Sequence, residues 1–186
     1  MAKNVKPPKH FSLTVKHNGI AREIRSENIH VAGLLPPEGP IPAPQGQGFM
    51  GIWDTGATGT VITDKVIQSL GLKPTGMTQV QSANGISRQE TYLASIYLPN
   101  RIVIPNIEVT RGVLGVSGDI LLGMDIISKG DFVLTNRNGK TWFSFRIPSL
   151  QRFDFVKVEI QPNRPCTCGS GRLYKNCCAK GPEPNI

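Results

Sequence analysis

The chain has 186 residues, of which 39% are apolar, enough for one sizeable domain with a core and a small appendage. Its 20 glycines and 15 prolines predict many turns and few helices, a composition typical of an all-β fold built from short strands. The net charge of +8 is compatible with general solubility or with an anionic partner, such as ribosomal RNA or an acidic protein surface.

Several classes of protein are disfavoured. The longest apolar run, Ile120–Met124, is far shorter than the roughly 20 residues that a membrane helix needs. The basic N-terminus is followed by Pro7-Pro8 and not by an apolar segment, so we expect no secretory signal. All four cysteines lie within Cys166–Cys178, which leaves none to cross-link the main domain, so we expect a cytoplasmic protein. No basic run interleaved with aromatic residues indicates sequence-specific nucleic-acid binding.

The first third of the chain predicts two strands and a long connection. Residues 1–9 are expected to form a flexible arm. Phe11–Val15 alternates apolar and polar residues, which predicts a half-buried strand. Ile20–Val31 is expected to return as a second strand after a hairpin-type turn at His17-Asn18-Gly19. Gly33–Gly48 contains five prolines and four glycines, which predicts an exposed loop, either an insertion near a site or, as we favour, a connector.

The next stretch predicts a strand, a turn and a helix. Phe49–Trp53 is an apolar strand that ends at an acid, Asp54. A helix is predicted over Asp64–Leu70, because Thr63 is a good N-cap residue and Gly71 is well placed to terminate it.

The second half of the chain is expected to contain two hairpins and one helical turn. Asn-Gly between extended segments is a strong hairpin signal, and it occurs at Asn84-Gly85 and again at Asn138-Gly139. The remaining predicted segments are Met77–Ser82, Ser87–Tyr97, Ile102–Ile104, Ile107–Val109, Ile120–Leu122, a helical turn over Asp125–Ser128, Phe132–Leu134, Thr141–Phe145 and an alternating segment over Phe153–Ile160.

Asp54 stands between an apolar approach and a turn-prone exit, Thr55-Gly56. A carboxylate at the end of an apolar strand is costly to desolvate, and a glycine two residues later lets the backbone fold tightly beside it. By itself an Asp-Thr-Gly triplet is a weak signal, because a surface turn commonly explains it.

The order of elements around the triplet is more specific. The acidic loop is followed by a hairpin, then by Leu121-Leu122-Gly123 and a short helix, and this order resembles the retropepsin-like aspartic proteases, especially bacterial sequences with Leu-Gly-Met-Asp. The resemblance implies a closed β barrel with one or two short helices, which we assign to residues 10–160, and a peptide-hydrolysing activity.

Aspartic protease chemistry requires two carboxylates. Held about 3 Å apart, they cannot both ionise, so one acts as base on a water and the other as acid. The chain has a single Asp-Thr-Gly, so the second carboxylate is expected from Asp54 of another copy in a two-fold homodimer. The resemblance further implies that Thr55 locks the two loops together and that Gly56 brings its N–H to the carboxylate.

Three other features near this site have less specific interpretations. The resemblance places a flap over the substrate at Ala83, Asn84, Gly85 and Ile86, although a simple surface hairpin is the alternative. Asp125 begins a short helix, where a carboxylate meets the helix dipole, so we interpret it as a cap and not as a catalyst. Asp119 could face the site or the solvent.

The C-terminal segment, residues 161–186, holds four thiols around a Gly-Ser-Gly loop. Four thiolates can bind a tetrahedral zinc ion, and a redox or disulfide cluster is the alternative. The pattern Cys-x-Cys-Gly-Ser-Gly with a closing Cys-Cys strongly resembles the SEC-C motif, a small zinc module. This implies a structural zinc and docking to a protein or ribosome partner; the expected ligands are Cys166, Cys168, Cys177 and Cys178.

Two functions of different classes follow from these patterns. The first is an aspartic endopeptidase, active as a homodimer, with a zinc tail for partner docking. The second is a non-catalytic peptide-binding adaptor that uses the barrel groove and the SEC-C module. A nucleic-acid-associated protein, suggested by the charge alone, is a weaker third.

Overall fold

The computed structural model describes residues 10–82, 85–115, 118–154, 162–166 and 170–180. The chain forms two compact units, Met1–Leu150 and Gln151–Ile186. The strands of the first unit are β1 Phe11–Lys16, β2 Ile24–Ala32, β3 Phe49–Trp53, β4 Val61–Ile62, β5 Gly76–Ser82, β6 Gly85–Leu98, β7 Ile102–Arg111, β8 Ile120–Leu122, β9 Asp131–Thr135 and β10 Trp142–Ile147. Its helices are α1 Asp64–Leu70 and α2 Met124–Ile127.

The larger sheet closes on itself. Its strand order is β2-β3-β8-β4-β7-β6-β5, and β2 also pairs with β6, through His30 opposite Tyr97 and the two following pairs. Six strands therefore form a ring, and β5 extends from it as the outer strand of a hairpin with β6. The predicted all-β closed barrel with one or two short helices is confirmed, and the structure has two α-helices in its described residues.

A second sheet, in the order β1-β10-β9, supplies the aromatic part of the core. Trp53, the last residue of β3, lies 5.0 Å from Phe143 and 4.9 Å from Phe145, measured between ring centroids. Its buried indole N–H donates a hydrogen bond of 2.9 Å to Ser26 Oγ. The end of β3 is therefore held rigidly by packing and by one polar contact.

Most predicted boundaries lie within two residues of those in the structure, and two predictions differ by more. β2 begins at Ile24 and not at Ile20, and the turn at His17-Asn18-Gly19 does not form a hairpin, because β1 pairs with β10 while β2 pairs with β3 and β6. The segments predicted on either side of Pro105-Asn106 form one strand, β7, because the pairing of β6 with β7 shifts register between Ala94 and Ile96. Such a bulge accommodates a proline, which cannot donate to the strand ladder.

The proline-rich connection is anchored at its beginning. The Asn106 side chain accepts the Leu35 N–H at 2.7 Å and donates to the Leu35 carbonyl at 2.9 Å. Leu35 is buried, whereas residues 36–48 are exposed and belong to no helix or strand. The loop therefore leaves the barrel surface at a defined point on β7.

Helix α1 occupies the predicted residues. Its C-terminal Gly71 has a left-handed conformation, with φ of 59°, as a glycine terminator should. Thr63 stands at the N-cap, but its hydroxyl donates to the Asp119 carbonyl at 3.1 Å and not to the helix. Within the described part of the chain, none of the helices has the length and apolar character needed to cross a bilayer.

Asp131, at the start of β9, is a buried carboxylate that accepts hydrogen bonds from three residues. The Leu150 N–H, at 3.0 Å, the Ser149 hydroxyl and the Arg146 guanidinium donate to it. These contacts, the Leu150 N–H first, hold the pKa of the Asp131 carboxyl well below its ordinary value.

We expect Asp131→Asn to lower the free energy of unfolding by about 1.5–3 kcal/mol at pH 7, the range for hydrogen bonds to charged groups. A carboxyl whose pKa is depressed on folding stabilises above its unfolded pKa of about 3.9, and loses this contribution as the pH falls toward its folded pKa. Urea unfolding at pH 7 and at pH 3 should therefore show the difference between wild type and variant shrinking in acid. Glu108→Gln, at an exposed position, is the control; an equal difference at both pH values would contradict the assignment.

Candidate active site

The end of β3 and the end of β8 together place Asp54. β8 runs parallel to β3 on one side and antiparallel to β4 on the other. The chain therefore leaves β3, passes over the end of β8 and returns as β4. At the point of departure the Asp54 N–H donates to the Leu122 carbonyl at 3.0 Å.

The loop after Asp54 is tied to the start of α2. The Met124 N–H donates to the Ala57 carbonyl at 2.8 Å, and the Asp125 N–H donates to the Thr58 carbonyl at 3.1 Å. Gly123 lies under this crossing, where an added Cβ would stand 2.5 Å from the Gly59 carbonyl oxygen. Any larger residue would have to push the Asp54 loop away, so the apolar-apolar-Gly element and the acidic loop form one structural unit.

The Asp54 carboxylate is half-buried and accepts the Gly56 N–H on Oδ1 at 2.8 Å. A Cβ on Gly56 would lie 3.2 Å from the same oxygen, tighter than most contacts of this kind. Thr55 and Gly56 are exposed, so this part of the loop lies at the surface. A carboxylate in this position can exchange protons with, or orient, a water in the adjoining space.

Asp125 lies behind the loop. Its Oδ1 accepts the Thr60 hydroxyl at 2.8 Å and the Ile126 N–H at 3.0 Å, in the first turn of α2. Thr60 is fully buried, and its oxygen also accepts the Gly123 N–H at 3.3 Å. This network supports the Asp54 loop from below, and the sequence offered no signal for Thr60, since a threonine in a strand is unremarkable.

Asp119 lies at the other end of β3 from Asp54. Its carboxylate accepts the Met50 N–H at 3.1 Å and pairs with the Lys65 ammonium at 2.9 Å. It therefore joins β3, β8 and α1 and does not face the candidate site.

A cavity of about 400 Å³ adjoins Asp54 and Thr55. Arg22 and Glu23, which precede β2, also line it, and neither was singled out in the sequence, because isolated charges in a turn give no positional signal. The Glu23 carboxylate is bound by Arg25 through Nε at 2.5 Å and through Nη2. The apolar wall consists of Ala21, Ile24, Ile52, Trp53, Phe132 and Leu134.

The predicted flap is the tip of the β5–β6 hairpin. Ala83 and Asn84 lie outside the described residues. Ser82 pairs with Gly85, which has a positive φ of 106°, and Ile86 is 64% exposed. The hairpin therefore carries an apolar side chain close to its tip.

The base of this hairpin is held by charge. Arg111 on β7 pairs with Asp64 of α1 through Nε at 2.6 Å, and its Nη1 lies 3.4 Å from Glu90 on β6. Glu90 also accepts the Tyr92 hydroxyl at 2.7 Å. Burial of the Tyr92 hydroxyl, together with this bond to Glu90, raises the tyrosine pKa.

Three cysteines of the second unit converge. The sulfur atoms of Cys166, Cys177 and Cys178 all lie within 4.8 Å of one another, and Cys168 lies outside the described residues. The 4.0 Å between the sulfurs of Cys177 and Cys178 is far longer than the roughly 2.05 Å of a disulfide bond. It is close to the spacing of about 3.8 Å between sulfurs bound 2.3 Å from one tetrahedral zinc ion. The donor set and its spacing fit a metal ion.

Each of the two units contains a segment that matches a known protein-family model. Residues 44–126 match the family model described as aspartyl protease, and residues 163–180 match the SEC-C motif. The resemblance to retropepsin-like aspartic proteases with a SEC-C motif is confirmed. The aspartyl protease match contains Asp54, Leu122 and Gly123, and the SEC-C match contains all four cysteines.

Two solved structures are similar to this chain. A retropepsin-like aspartic protease from Rickettsia conorii is 18% identical, with a TM-score of 0.46 over 75% of this chain and 96% of that chain. The simian foamy virus protease is 17% identical, with a TM-score of 0.38 over 56% of this chain and 92% of that chain.

One curated protein also matches. A UPF0225 protein of Photorhabdus laumondii is 44% identical over 34 residues, which are 18% of this chain. The match spans 21%, about a fifth, of the length of that relative.

Proposed function

We propose that the chain is an aspartic endopeptidase, and that two Asp54 carboxylates, one from each copy of a homodimer, activate the water that hydrolyses a peptide bond. The observation that carries the proposal is the placement of Asp54 on a loop bound to Leu122 and crossing Gly123, inside the segment that matches the aspartyl protease family. In this mechanism one carboxylate takes a proton from water while the other donates a proton to the substrate.

The need for a second copy follows from the composition of the site. Among the described residues, Glu23 is the other acid that lines the cavity beside Asp54, and its carboxylate is already bound by Arg25. A carboxylate already bound by a guanidinium is less available to form a hydrogen bond with Asp54 or with a water between them. The exposed Thr55 and Gly56 would be covered in a dimer, where Thr55 would bind across the two-fold axis and Gly56 would orient the carboxylate.

Two further parts complete the proposal. The hairpin tip at residues 83–86 would close over the peptide and exclude water, with Ile86 contributing apolar contact. The four cysteines would hold one structural zinc ion, which leaves no open coordination position for catalysis. The SEC-C module would then dock the protease to a protein or ribosome partner, and the protein would act in the cytoplasm.

The experiment that tests this function is cleavage mapping over a range of protein concentrations. Wild-type protein is incubated with a peptide library, products are identified by mass spectrometry, and sedimentation is measured on the same samples. We expect cleavage, with activity per chain falling at dilutions where the dimer dissociates, because monomers hold one Asp54 each.

Full activity in samples that contain only monomer would contradict the homodimeric site. Peptide binding that a pepstatin-type inhibitor displaces, without any cleavage product, would favour the alternative function of a peptide-binding adaptor. The presence of the Asp-Thr-Gly triplet, Asp54, Thr55 and Gly56, favours the enzymatic function over the adaptor.

A further inference from the structure

The cavity beside Asp54 has one strongly apolar side and one charged side. The apolar wall includes the aromatic rings of Trp53 and Phe132 and the side chain of Leu134, which is 46% exposed. A volume of about 400 Å³ lies within the usual range for a ligand pocket, about 300–1,000 Å³. It can accommodate a long substrate side chain with an aliphatic stem.

The charges at the rim are not equivalent. Glu23 is neutralised locally by Arg25, whose Nε lies 2.5 Å from the Glu23 carboxylate. Arg22 is exposed and, across the described residues, forms no hydrogen bond or ion pair. The cavity wall therefore offers the guanidinium of Arg22 with its N–H donors available. The apolar wall and the proposed catalytic carboxylate of Asp54 line the same cavity.

We propose that this cavity receives an acidic side chain of the substrate, and that Arg22 is the residue that selects it. The inference rests on the proposed function. A guanidinium presents two parallel N–H donors that match a carboxylate, and the pair strengthens when substrate covers it and removes water. Glutamate suits the cavity, because its methylene groups can lie on the apolar wall while its carboxylate reaches Arg22.

A rival role for Arg22 is assembly. An unpaired guanidinium beside an exposed loop could instead pair with a carboxylate of the second copy. Such a role would affect all substrates alike and would depend on protein concentration, whereas selection of a side chain affects acidic substrates alone. The two roles are therefore separable by one set of measurements.

The experiment compares wild type with Arg22→Ala, Arg22→Glu and a control, Lys73→Glu, which makes the same change of charge as Arg22→Glu at an exposed position outside the cavity. Library cleavage identifies any position at which Glu or Asp is enriched. Peptides that differ by Glu or Gln at that position are then assayed for kcat/KM, and their binding is measured by fluorescence anisotropy.

For wild type and Lys73→Glu we expect the Glu peptide to be preferred by about 10- to 100-fold, the effect of one charged hydrogen-bonded pair. Arg22→Ala should abolish the preference while the Gln peptide keeps its rate within a fewfold. Arg22→Glu should shift the preference toward Lys or Arg.

Cleavage without acidic enrichment in wild type would overturn the selection by Arg22 and leave the proposed function intact. Equal losses for both peptides in Arg22→Ala, together with a weakened dimer, would overturn it in favour of assembly. A preference for binding the Glu peptide that depends on Arg22, without any cleavage, would support a cavity that binds acidic side chains and would refute the proposed protease activity.

Discussion

Asp54→Asn is expected to reduce the cleavage rate by about 10²–10⁴-fold or more, the contribution typical of a positioned acid–base group. The amide cannot accept a proton from water at neutral pH, so the site loses its base. The fold should survive, because an Asn oxygen can still accept the Gly56 N–H that Asp54 Oδ1 accepts at 2.8 Å. The measurement is kcat/KM on a library-derived peptide, with thermal unfolding as the check on folding and Glu108→Gln as the matched loss of a carboxylate.

Mixing experiments make this prediction sharper. If each active dimer needs two Asp54 carboxylates, random pairing of wild type with an equal amount of Asp54→Asn leaves about a quarter of the dimers active. A site in which Asp54 works with Glu23 of its own chain would leave about half of the activity, since each copy would act alone. Loss of activity in Glu23→Gln, with half activity in the mixture, would sink the two-copy mechanism. Undiminished cleavage by Asp54→Asn would remove Asp54 from catalysis.

The second prediction with a large expected effect concerns the SEC-C module, residues 161–186. Purified protein is expected to contain one zinc ion per chain by elemental analysis, and the double variant Cys166→Ser with Cys177→Ser is expected to contain none. The described part of the module, residues 162–166 and 170–180, has one buried apolar residue, Cys166. So small a core is not expected to outweigh the entropy of ordering the chain, so we expect metal binding to supply the folding energy.

Chelation should therefore expose residues 161–186 to limited proteolysis while urea unfolding of the barrel stays unchanged. Lys175→Ala is the control, because it alters an exposed residue of the module without removing a thiolate. A module that resists proteolysis after chelation, or a cysteine variant that retains its zinc, would refute a structural zinc site. Recovery of protease resistance on adding Zn²⁺ would distinguish metal loss from irreversible oxidation.

Many strands and turns of the barrel could be predicted from local sequence patterns. Alternating residues predicted β1, two of the three Asn-Gly pairs predicted hairpins, and Gly71 predicted the end of α1, since each depends on the conformational preferences of adjacent residues. The third pair, Asn18-Gly19, does not form a hairpin, because β1 pairs with β10. β7 was predicted as two pieces, because a proline normally interrupts a strand. The bulge that accommodates it, Pro105-Asn106 opposite Ser95 of β6, depends on how the two strands pair.

The candidate site also has parts that the sequence predicted and parts that it did not. The Asp-Thr-Gly triplet and Leu121-Leu122-Gly123 were recognisable because each is a short contiguous motif. Their contact was not, since the hydrogen bond from Asp54 to Leu122 joins residues 68 positions apart (122 − 54 = 68). Thr60, Arg22 and Glu23 were missed for the same reason: their importance comes from what lies next to them in space.

The sequence by itself determined an all-β chain with one Asp-Thr-Gly loop and a separate four-cysteine module, because composition, turn residues and cysteine spacing act locally. Only the tertiary structure decided that β2 pairs with β6 to close the barrel, that Gly123 lies beneath the Asp54 loop, and that Arg22 shares a cavity with Asp54. These features depend on pairing and packing between segments that are distant in the chain. Local patterns in one sequence do not show which distant segments will pair.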